Sequence, residues 1–229
     1  MKSYDTFKLL TTKIEAVGKD GLSVGTGFFM NAAINDKPET VIVTVRHVIE
    51  GAEELYFNLH YKPQGSEQTA TVRINCKSKW YVMGDNDLCC CRLAEINEIM
   101  KRATGSPVYY TALSEDGVVT EEEAEEIDVL KEVFMIGYPA GVSSAPMEYP
   151  ILRLGVLASA PCDNYANNGG YVDINAVGGS SGSPLFLIDG KVKLIGVINA
   201  AVMDNPLSSA NLGVYIDAYK LLEVNVKEE

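Results

Sequence analysis

A glycine- and serine-rich stretch is the part of the sequence best suited to perform chemistry. It reads GGSSGSP over residues 178–184 and precedes a short apolar run at residues 185–188. Glycines allow a tight turn to point several backbone N–H groups at one oxygen, which is the geometry that acyl transfer requires. Two serines, Ser180 and Ser181, then compete for the role of nucleophile. The alternative is a plain surface loop between two strands, which has the same composition.

A serine nucleophile needs a base to take its proton, and the usual base is a histidine that a carboxylate orients. The chain has two histidines, His47 and His60. His47 ends the β-branched run VIVTVRH at residues 41–47, so a strand is expected to deliver it to a boundary. His60 ends a predicted strand before a polar loop, which favours a surface position. His47 is therefore the candidate base.

The candidate carboxylate lies in the segment GDNDLCCCRL, residues 84–93. An aspartate that opens an apolar strand is expected to be buried at one end, where it accepts from a histidine N–H and stays ionised. Asp87 adjoins the strand and is preferred, whereas Asp85 is assigned to the preceding turn. The cysteines of this segment are interpreted as small apolar residues that fill the strand, and redox control beside the site is the alternative.

The order of these residues along the chain distinguishes two classes of hydrolase. Residues 178–182 also satisfy the G-x-S-x-G pattern of α/β-hydrolases, in which the catalytic histidine follows the serine. No histidine follows His60 in this sequence, which excludes an esterase or lipase of that kind. The order His47, Asp87, Ser181 is instead that of the chymotrypsin type.

With these motifs in place, the chain resembles the trypsin/chymotrypsin-fold serine peptidases. The similarity is greatest to the compact bacterial branch of HtrA-like and glutamyl endopeptidase-like enzymes, and no PDZ domain is expected here. The resemblance extends from Gly25 to about Ile216 and depends on motifs in family order. They are GTGFF at residues 25–29, TVRHV at 44–48, DL at 87–88, IGYPAG at 136–141 and GSSGSP at 179–184.

The resemblance implies a triad of His47, Asp87 and Ser181, with no cofactor and no metal ion. The backbone N–H groups of Gly179 and Ser181 would form the oxyanion hole, and Ser180 would not react. His47 would take the Ser181 proton, an acyl-enzyme would form, and His47 would protonate the leaving amine before water completes hydrolysis. Asp87 would hold the imidazole tautomer and stabilise its cation.

The resemblance also indicates which residues contact the substrate side chain that precedes the scissile bond. They are Asn175, Ile198, Asn199, Ala200 and Ala201. No acidic residue occupies the base position that would favour Lys or Arg, so we expect a preference for small or medium uncharged side chains. The loops at residues 143–149 and 163–170 are an alternative determinant that would reshape the pocket.

Composition limits the partners of the protein. A net charge of −12, from 31 acidic and 19 basic residues, argues against nucleic-acid binding, which needs a basic face. No apolar window approaches the length of a membrane span. Five cysteines, three of them consecutive, suit neither a disulfide framework nor a metal site. This cysteine pattern leads us to expect reduced thiols. Charged residues interrupt the apolar positions of the first thirty residues, so we see no signal-peptide core and expect a cytoplasmic protein.

Short β-type runs separated by turn residues recur along the chain and indicate a sandwich or barrel. With the resemblance, they predict an all-β fold of two packed six-stranded antiparallel β-barrels and a short C-terminal helix. Residues 1–229 are expected to form one peptidase domain. Its parts are a first barrel at about residues 18–105, a linker at about 106–130, a second barrel at about 131–216 and a helix at about 217–224.

Three helical segments interrupt this β pattern. Apolar residues with helical spacing predict a helix over residues 93–103. Thr120 and Glu123 are spaced to cap a second helix in the acidic run EEEAEE, which we interpret as a solvated linker, with a docking patch for a basic partner as the alternative. Asp217 is predicted to be the N-cap of the last helix.

The function that these observations favour is hydrolysis of protein or peptide substrates by a serine endopeptidase. A catalytically silent binding module on the same fold is the alternative, because a fold does not prove activity. A third possibility is an esterase-like or transacylating activity of the same triad. The sequence does not predict an oligomeric state.

Overall fold

A computed structural model describes residues 6–19, 21–34, 37–84, 86–163, 169–205 and 208–222. Within these residues the chain forms thirteen β-strands, three short α-helices and three 3₁₀ helices. Asp85, most of the loop at residues 163–170 and the end of the predicted C-terminal helix lie outside the described residues. None of the described helices is long and apolar enough to cross a membrane.

The first half of the chain forms one antiparallel sheet of seven strands. They are β1 (Thr11–Gly18), β2 (Gly21–Ile34), β3 (Lys37–Val45), β4 (Glu54–Tyr61), β5 (Ala70–Asn75), β6 (Trp80–Met83) and β7 (Leu88–Arg92). Their order across the sheet is β5-β4-β1-β2-β3-β7-β6. A flat sheet of this kind would be about 28 Å wide, whereas the short link between β5 and β6 reaches at most about 18 Å. The sheet therefore curls until its two edges approach, and the Phe57 and Trp80 rings stack with centroids 6.4 Å apart.

The second half forms a closed barrel of six strands. They are β8 (Glu132–Gly137), β9 (Ile151–Leu157), β10 (Gly169–Asp173), β11 (Pro184–Leu187), β12 (Lys193–Asn205) and β13 (Ser208–Asp217). Their order around the barrel is β10-β13-β12-β11-β8-β9. The all-β, chymotrypsin-like fold class is thus confirmed. The predicted six strands hold for this half, whereas the first half has seven.

Two of the three α-helices confirm sequence predictions. The helices are α1 (Arg46–Ile49), α2 (Leu93–Thr104) and α3 (Glu121–Glu125). In α2, Leu93, Ile96 and Met100 are buried, as their spacing predicts, and Gly105 ends the helix with φ of 75°. In α3, Glu123 N donates to Thr120 Oγ1 at 3.2 Å and Thr120 N donates to Glu123 Oε2 at 3.0 Å, which is the predicted capping box.

The predicted C-terminal helix begins with a short 3₁₀ helix, Ala218–Leu221, and Asp217 lies at its N-cap position, as predicted. The Asp217 side chain makes no capping hydrogen bond and is fully buried. Burial raises the pKa of this carboxyl to about 6, although the Cys162 backbone N–H and the Lys220 charge oppose the shift. A buried carboxylate without full pairing is costly, so the ionised form of Asp217 is expected to lower stability.

The apolar core fixes the two halves against each other. Its larger cluster joins residues of the first sheet to Ile136, Phe186 and Ile216 of the second barrel. Phe7 continues this contact, with its ring centroid 5.3 Å from that of Phe134. Side chains at the interface between the halves are therefore held in a fixed relation.

The five cysteines are free thiols, and all but one are buried. Cys89, Cys90 and Cys91 fill β7, as expected from their sequence. Burial raises the pKa of the Cys90 thiol to about 12. Because a thiol is reactive only as its thiolate, the structure favours the packing interpretation of these cysteines over redox control.

Candidate active site

His47 and Asp87 are brought together by the pairing of two strands. β3 and β7 are antiparallel neighbours, with Val45 opposite Leu88, so the residues just beyond the two strands meet at one end of the sheet. His47 Nδ1 lies 2.5 Å from Asp87 Oδ2, and the His47 backbone N donates to Asp87 Oδ1 at 3.2 Å. An ionised carboxylate only accepts, so Nδ1 carries the proton and Nε2 is left to act as a base.

This pair is more exposed than the sequence predicts. The Asp87 side chain retains 29% of its exposure and the His47 side chain 44%. The expectation of a buried aspartate is wrong because Asp87 lies just before β7, outside its ladder, and its carboxylate contacts the exposed His47 ring. The exposed imidazole edge is accessible to a ligand.

The candidate nucleophile is tied to the first half of the chain. Thr26 N of β2 donates to the Ser181 carbonyl at 2.8 Å, which anchors the serine loop at the interface. Ser181 is half-buried, and its hydroxyl donates to the Asn199 carbonyl at 3.4 Å. Among the described residues, no hydrogen bond joins Ser181 Oγ to His47. Such bonds are often long or misaligned before a substrate binds.

The backbone of the serine loop presents two N–H groups with no internal acceptor. Neither Gly179 N nor Ser181 N donates to an atom of the described residues. The Gly178 carbonyl accepts from Ala140 N at 2.6 Å, and a trans peptide points the N–H of the next residue the opposite way. Two such donors on one turn are suited to hold a developing oxyanion.

Glycine is required at position 179 of this loop. Gly179 has φ of 89°, which residues with a Cβ rarely adopt. A Cβ there would lie 2.3 Å from the Tyr138 carbonyl oxygen. The close approach of these two backbone segments therefore depends on the missing side chain.

The other serines of the loop are structural. Ser180 is buried, and its hydroxyl accepts from Val177 N at 3.2 Å. Ser183 is also fully buried. Of the three, only Ser181 is partly exposed, which supports the choice made from the sequence.

The predicted specificity residues differ in accessibility. Asn175 and Ala200 are exposed, and Asn199 and Ala201 are half-buried. Ile198 is buried, and its backbone binds the serine loop: its carbonyl accepts from Gly182 N at 2.7 Å and its N–H donates to the Ser183 carbonyl at 2.9 Å. Ile198 thus holds the loop in place, whereas the other four reach the surface.

His60 is not the surface residue that the sequence predicts. It is only 3% exposed, and burial together with the nearby Lys8 charge lowers its pKa to about 4. The prediction is wrong because residues 144–149 of the second half cover this end of β4, with the Tyr149 ring centroid 5.0 Å from that of His60. Only a contact between the two halves creates this environment, so the local sequence carries no signal for it.

Comparison with known proteins agrees with this geometry. Residues 25–197, more than half of the chain, match the family model described as a trypsin-like peptidase domain. The sequence has no significant match among curated proteins.

Two solved structures have a similar fold. The HtrA-type protease AlgW with a tripeptide has a TM-score of 0.60 and 17% identity, over 96% of this chain and 60% of that one. A thermostable serine protease, AL20, from an extremophilic microorganism has a TM-score of 0.58 and 15% identity, over 96% of this chain and 95% of that one. At such low identity these similarities establish the fold alone.

Proposed function

The chain belongs to the trypsin-like peptidase family, and on that basis we propose that it is a serine endopeptidase with His47, Asp87 and Ser181 as its catalytic triad. The observation that carries the proposal is the 2.5 Å contact between His47 Nδ1 and Asp87 Oδ2, which leaves Nε2 available as a base. The two N–H groups of the serine loop that lack an acceptor supply the complementary oxyanion site.

In the proposed reaction, Ser181 Oγ leaves the Asn199 carbonyl by rotation about χ1 and gives its proton to His47. The serine attacks the peptide carbonyl, whose oxygen then accepts from the N–H groups of Gly179 and Ser181. His47 protonates the leaving amine, and water releases the acyl group by the same steps in reverse. Asp87 keeps the imidazole in the productive tautomer throughout.

We also propose that the enzyme prefers small or medium uncharged side chains before the scissile bond. Gly213 of β13 pairs with Ala201, one of the predicted pocket residues. A Cβ on Gly213 would lie 3.0 Å from Val172 and 3.3 Å from both Ile174 and Ala176. Among the described residues, apolar side chains thus fill the space beside Gly213, and none of these three supplies a counter-charge for a long basic side chain.

A peptide library tests this preference. Cleavage after alanine, valine or similar residues is the expected result. Selective cleavage after arginine or lysine would contradict it.

Hydrolysis of peptide and ester substrates, measured side by side, tests the proposed function. The wild type and Ser180→Ala are expected to hydrolyse a peptide, and Ser181→Ala is expected to be inactive. Ser180→Ala is the matched control, because the Ser180 hydroxyl is buried and accepts a hydrogen bond from Val177 N. A folded wild type that hydrolyses neither substrate would contradict the proposal and favour a binding module, and hydrolysis of esters alone would favour an esterase.

A further inference from the structure

One segment of the second half, residues 138–149, connects the serine loop to the far side of the first sheet; we call it the bracing segment. At its near end, Ala140 N donates to the Gly178 carbonyl at 2.6 Å. This bond sets the plane of the peptide that carries Gly179 N–H, one of the two proposed oxyanion donors. The position of the bracing segment therefore sets the direction of that donor.

The far end of the bracing segment lies on β4 and β5. Thr71 Oγ1 of β5 donates to the Met147 carbonyl at 2.8 Å. Asn58 Nδ2 of β4 donates to Glu148 Oε2 at 2.6 Å. Ser144 N donates to the Tyr149 carbonyl at 2.9 Å and closes this end into a compact loop. Two strands of the first sheet thus hold the loop.

Only one residue, Ser143, separates the hydrogen-bonded parts of this segment. At the near end Val142 N donates to the Pro139 carbonyl at 3.0 Å, and the far loop begins at Ser144. So short a connection leaves little slack. A displacement of the far end is therefore passed to Ala140 and to the peptide that it orients.

The hydrogen bonds select one tautomer of a neutral His60. His60 and Thr71 are directly opposite on β4 and β5, with Nδ1 2.9 Å from Thr71 Oγ1. The Thr71 hydroxyl has a single proton and gives it to Met147, so it accepts from His60 Nδ1–H. His60 Nε2 is buried with no partner among the described residues, so a proton on it would have no acceptor, and the neutral tautomer with Nδ1–H fits this site.

The charges around His60 also favour its neutral form. Lys8, from the segment before β1, lies over the Tyr149 ring with Nζ 5.3 Å from the centroid. Glu148 is the charged residue of the bracing segment here, and its carboxylate accepts from Asn58 rather than from His60. A neutral His60 therefore holds the Thr71 hydroxyl in the orientation that binds the bracing segment.

We propose that His60 and Thr71 are positioning residues, which hold the bracing segment and through it the oxyanion donor Gly179 N–H. The inference rests on the proposed peptidase function, since it concerns a step in that reaction. Oxyanion donors act in the transition state, so a loss of position lowers kcat and leaves KM nearly unchanged. A purely structural role would lower the melting temperature without this split.

The test compares Thr71→Val with Thr71→Ser in steady-state peptide hydrolysis, well below the melting temperature. Valine keeps the shape but removes the hydroxyl, and we expect kcat to fall about 10- to 100-fold with KM within about twofold. Serine restores the hydroxyl and should restore kcat. Thr40→Val is the matched control, because Thr40 Oγ1 donates to Asn31 Oδ1 far along β3 from the bracing segment.

The outcomes separate this inference from the function on which it rests. An inactive wild type would overturn the peptidase proposal and the inference with it. An active wild type with an unchanged kcat in Thr71→Val, or an equal fall in Thr40→Val, would overturn the inference alone. If Thr71→Val does not fold, Glu148→Ala removes the other hydrogen bond to the bracing segment, the one from Asn58, and Glu148 is only half-buried. An unchanged kcat in Glu148→Ala would likewise overturn the inference.

Discussion

Alanine at position 179 is expected to disable the oxyanion hole while the fold survives. Gly179 has φ of 89°, and an added Cβ would lie 2.3 Å from the Tyr138 carbonyl oxygen and 3.0 Å from Gly141 N. Neither obstacle is the end of a flexible side chain, so the backbone itself must move. The peptide between Gly178 and Gly179 carries the donor, and it is the part of the loop that would rotate.

The magnitude follows from that geometry. Real Cβ contacts essentially never fall below 3.0 Å, so the two segments must separate by roughly 0.7 Å, and a misplacement near 1 Å costs about 100-fold in rate. Full loss of one oxyanion donor costs about 10²–10³ in kcat. We therefore expect kcat of Gly179→Ala to fall by about 10²–10³ with KM little changed. The left-handed backbone adds roughly 1–2 kcal/mol of strain.

The assay is steady-state peptide hydrolysis combined with thermal unfolding. Gly178→Ala is the matched control, because an added Cβ there meets no atom within 4 Å and its φ lies outside the left-handed region. This control should keep nearly the wild-type kcat. The reasoning is refuted if Gly179→Ala keeps wild-type kcat, or if both variants lose activity to the same extent.

Three further predictions concern titratable groups. Asp87→Asn should lower kcat by about 10⁴ at neutral pH, because the wrong histidine tautomer is then favoured; a fall below tenfold would contradict the role of Asp87. The pKa of His60 is lowered to about 4, so the native state binds fewer protons than the unfolded chain between that value and about 6.5. The free energy of unfolding should therefore drop by about 3 kcal/mol as pH falls through this window. Denaturant unfolding of His60→Asn should not show this loss, and a pH profile identical to that of the wild type would contradict the prediction. The pKa of Asp217 is raised to about 6, which has the opposite sign: stability is lost as pH rises from about 4 to about 6. Asp217→Asn should thus be up to about 3 kcal/mol more stable than wild type at pH 7, and a less stable variant would contradict the assignment.

The parts of the fold that sequence could predict are those specified by local pattern. α2 has its apolar residues in helical spacing, and the capping box of α3 lies within four consecutive residues. β1 and β6, by contrast, have no clear strand pattern in the sequence. β1 mixes charged and apolar residues, and β6 has only four residues. The sequence of neither segment differs clearly from that of a loop, and each is recognised as a strand only by its pairing with neighbouring strands.

The candidate site divides in the same way. His47, Asp87 and Ser181 could be chosen because chain order and short motifs distinguish them from other residues of the same type. The burial of His60 and of Asp217 depends on segments distant in sequence, residues 144–149 and Cys162, that cover them only in the folded chain. Such contacts leave no periodicity in the sequence, which is why His60 was predicted to lie at the surface and the burial of Asp217 was not predicted.

Covalent labelling with a serine-directed fluorophosphonate, followed by peptide mapping in a mass spectrometer, tests the central claim most directly. The account predicts one adduct per chain, located on Ser181, present in Ser180→Ala and absent from Ser181→Ala. A folded protein that gains no adduct, or one labelled on a residue other than Ser181, would contradict it.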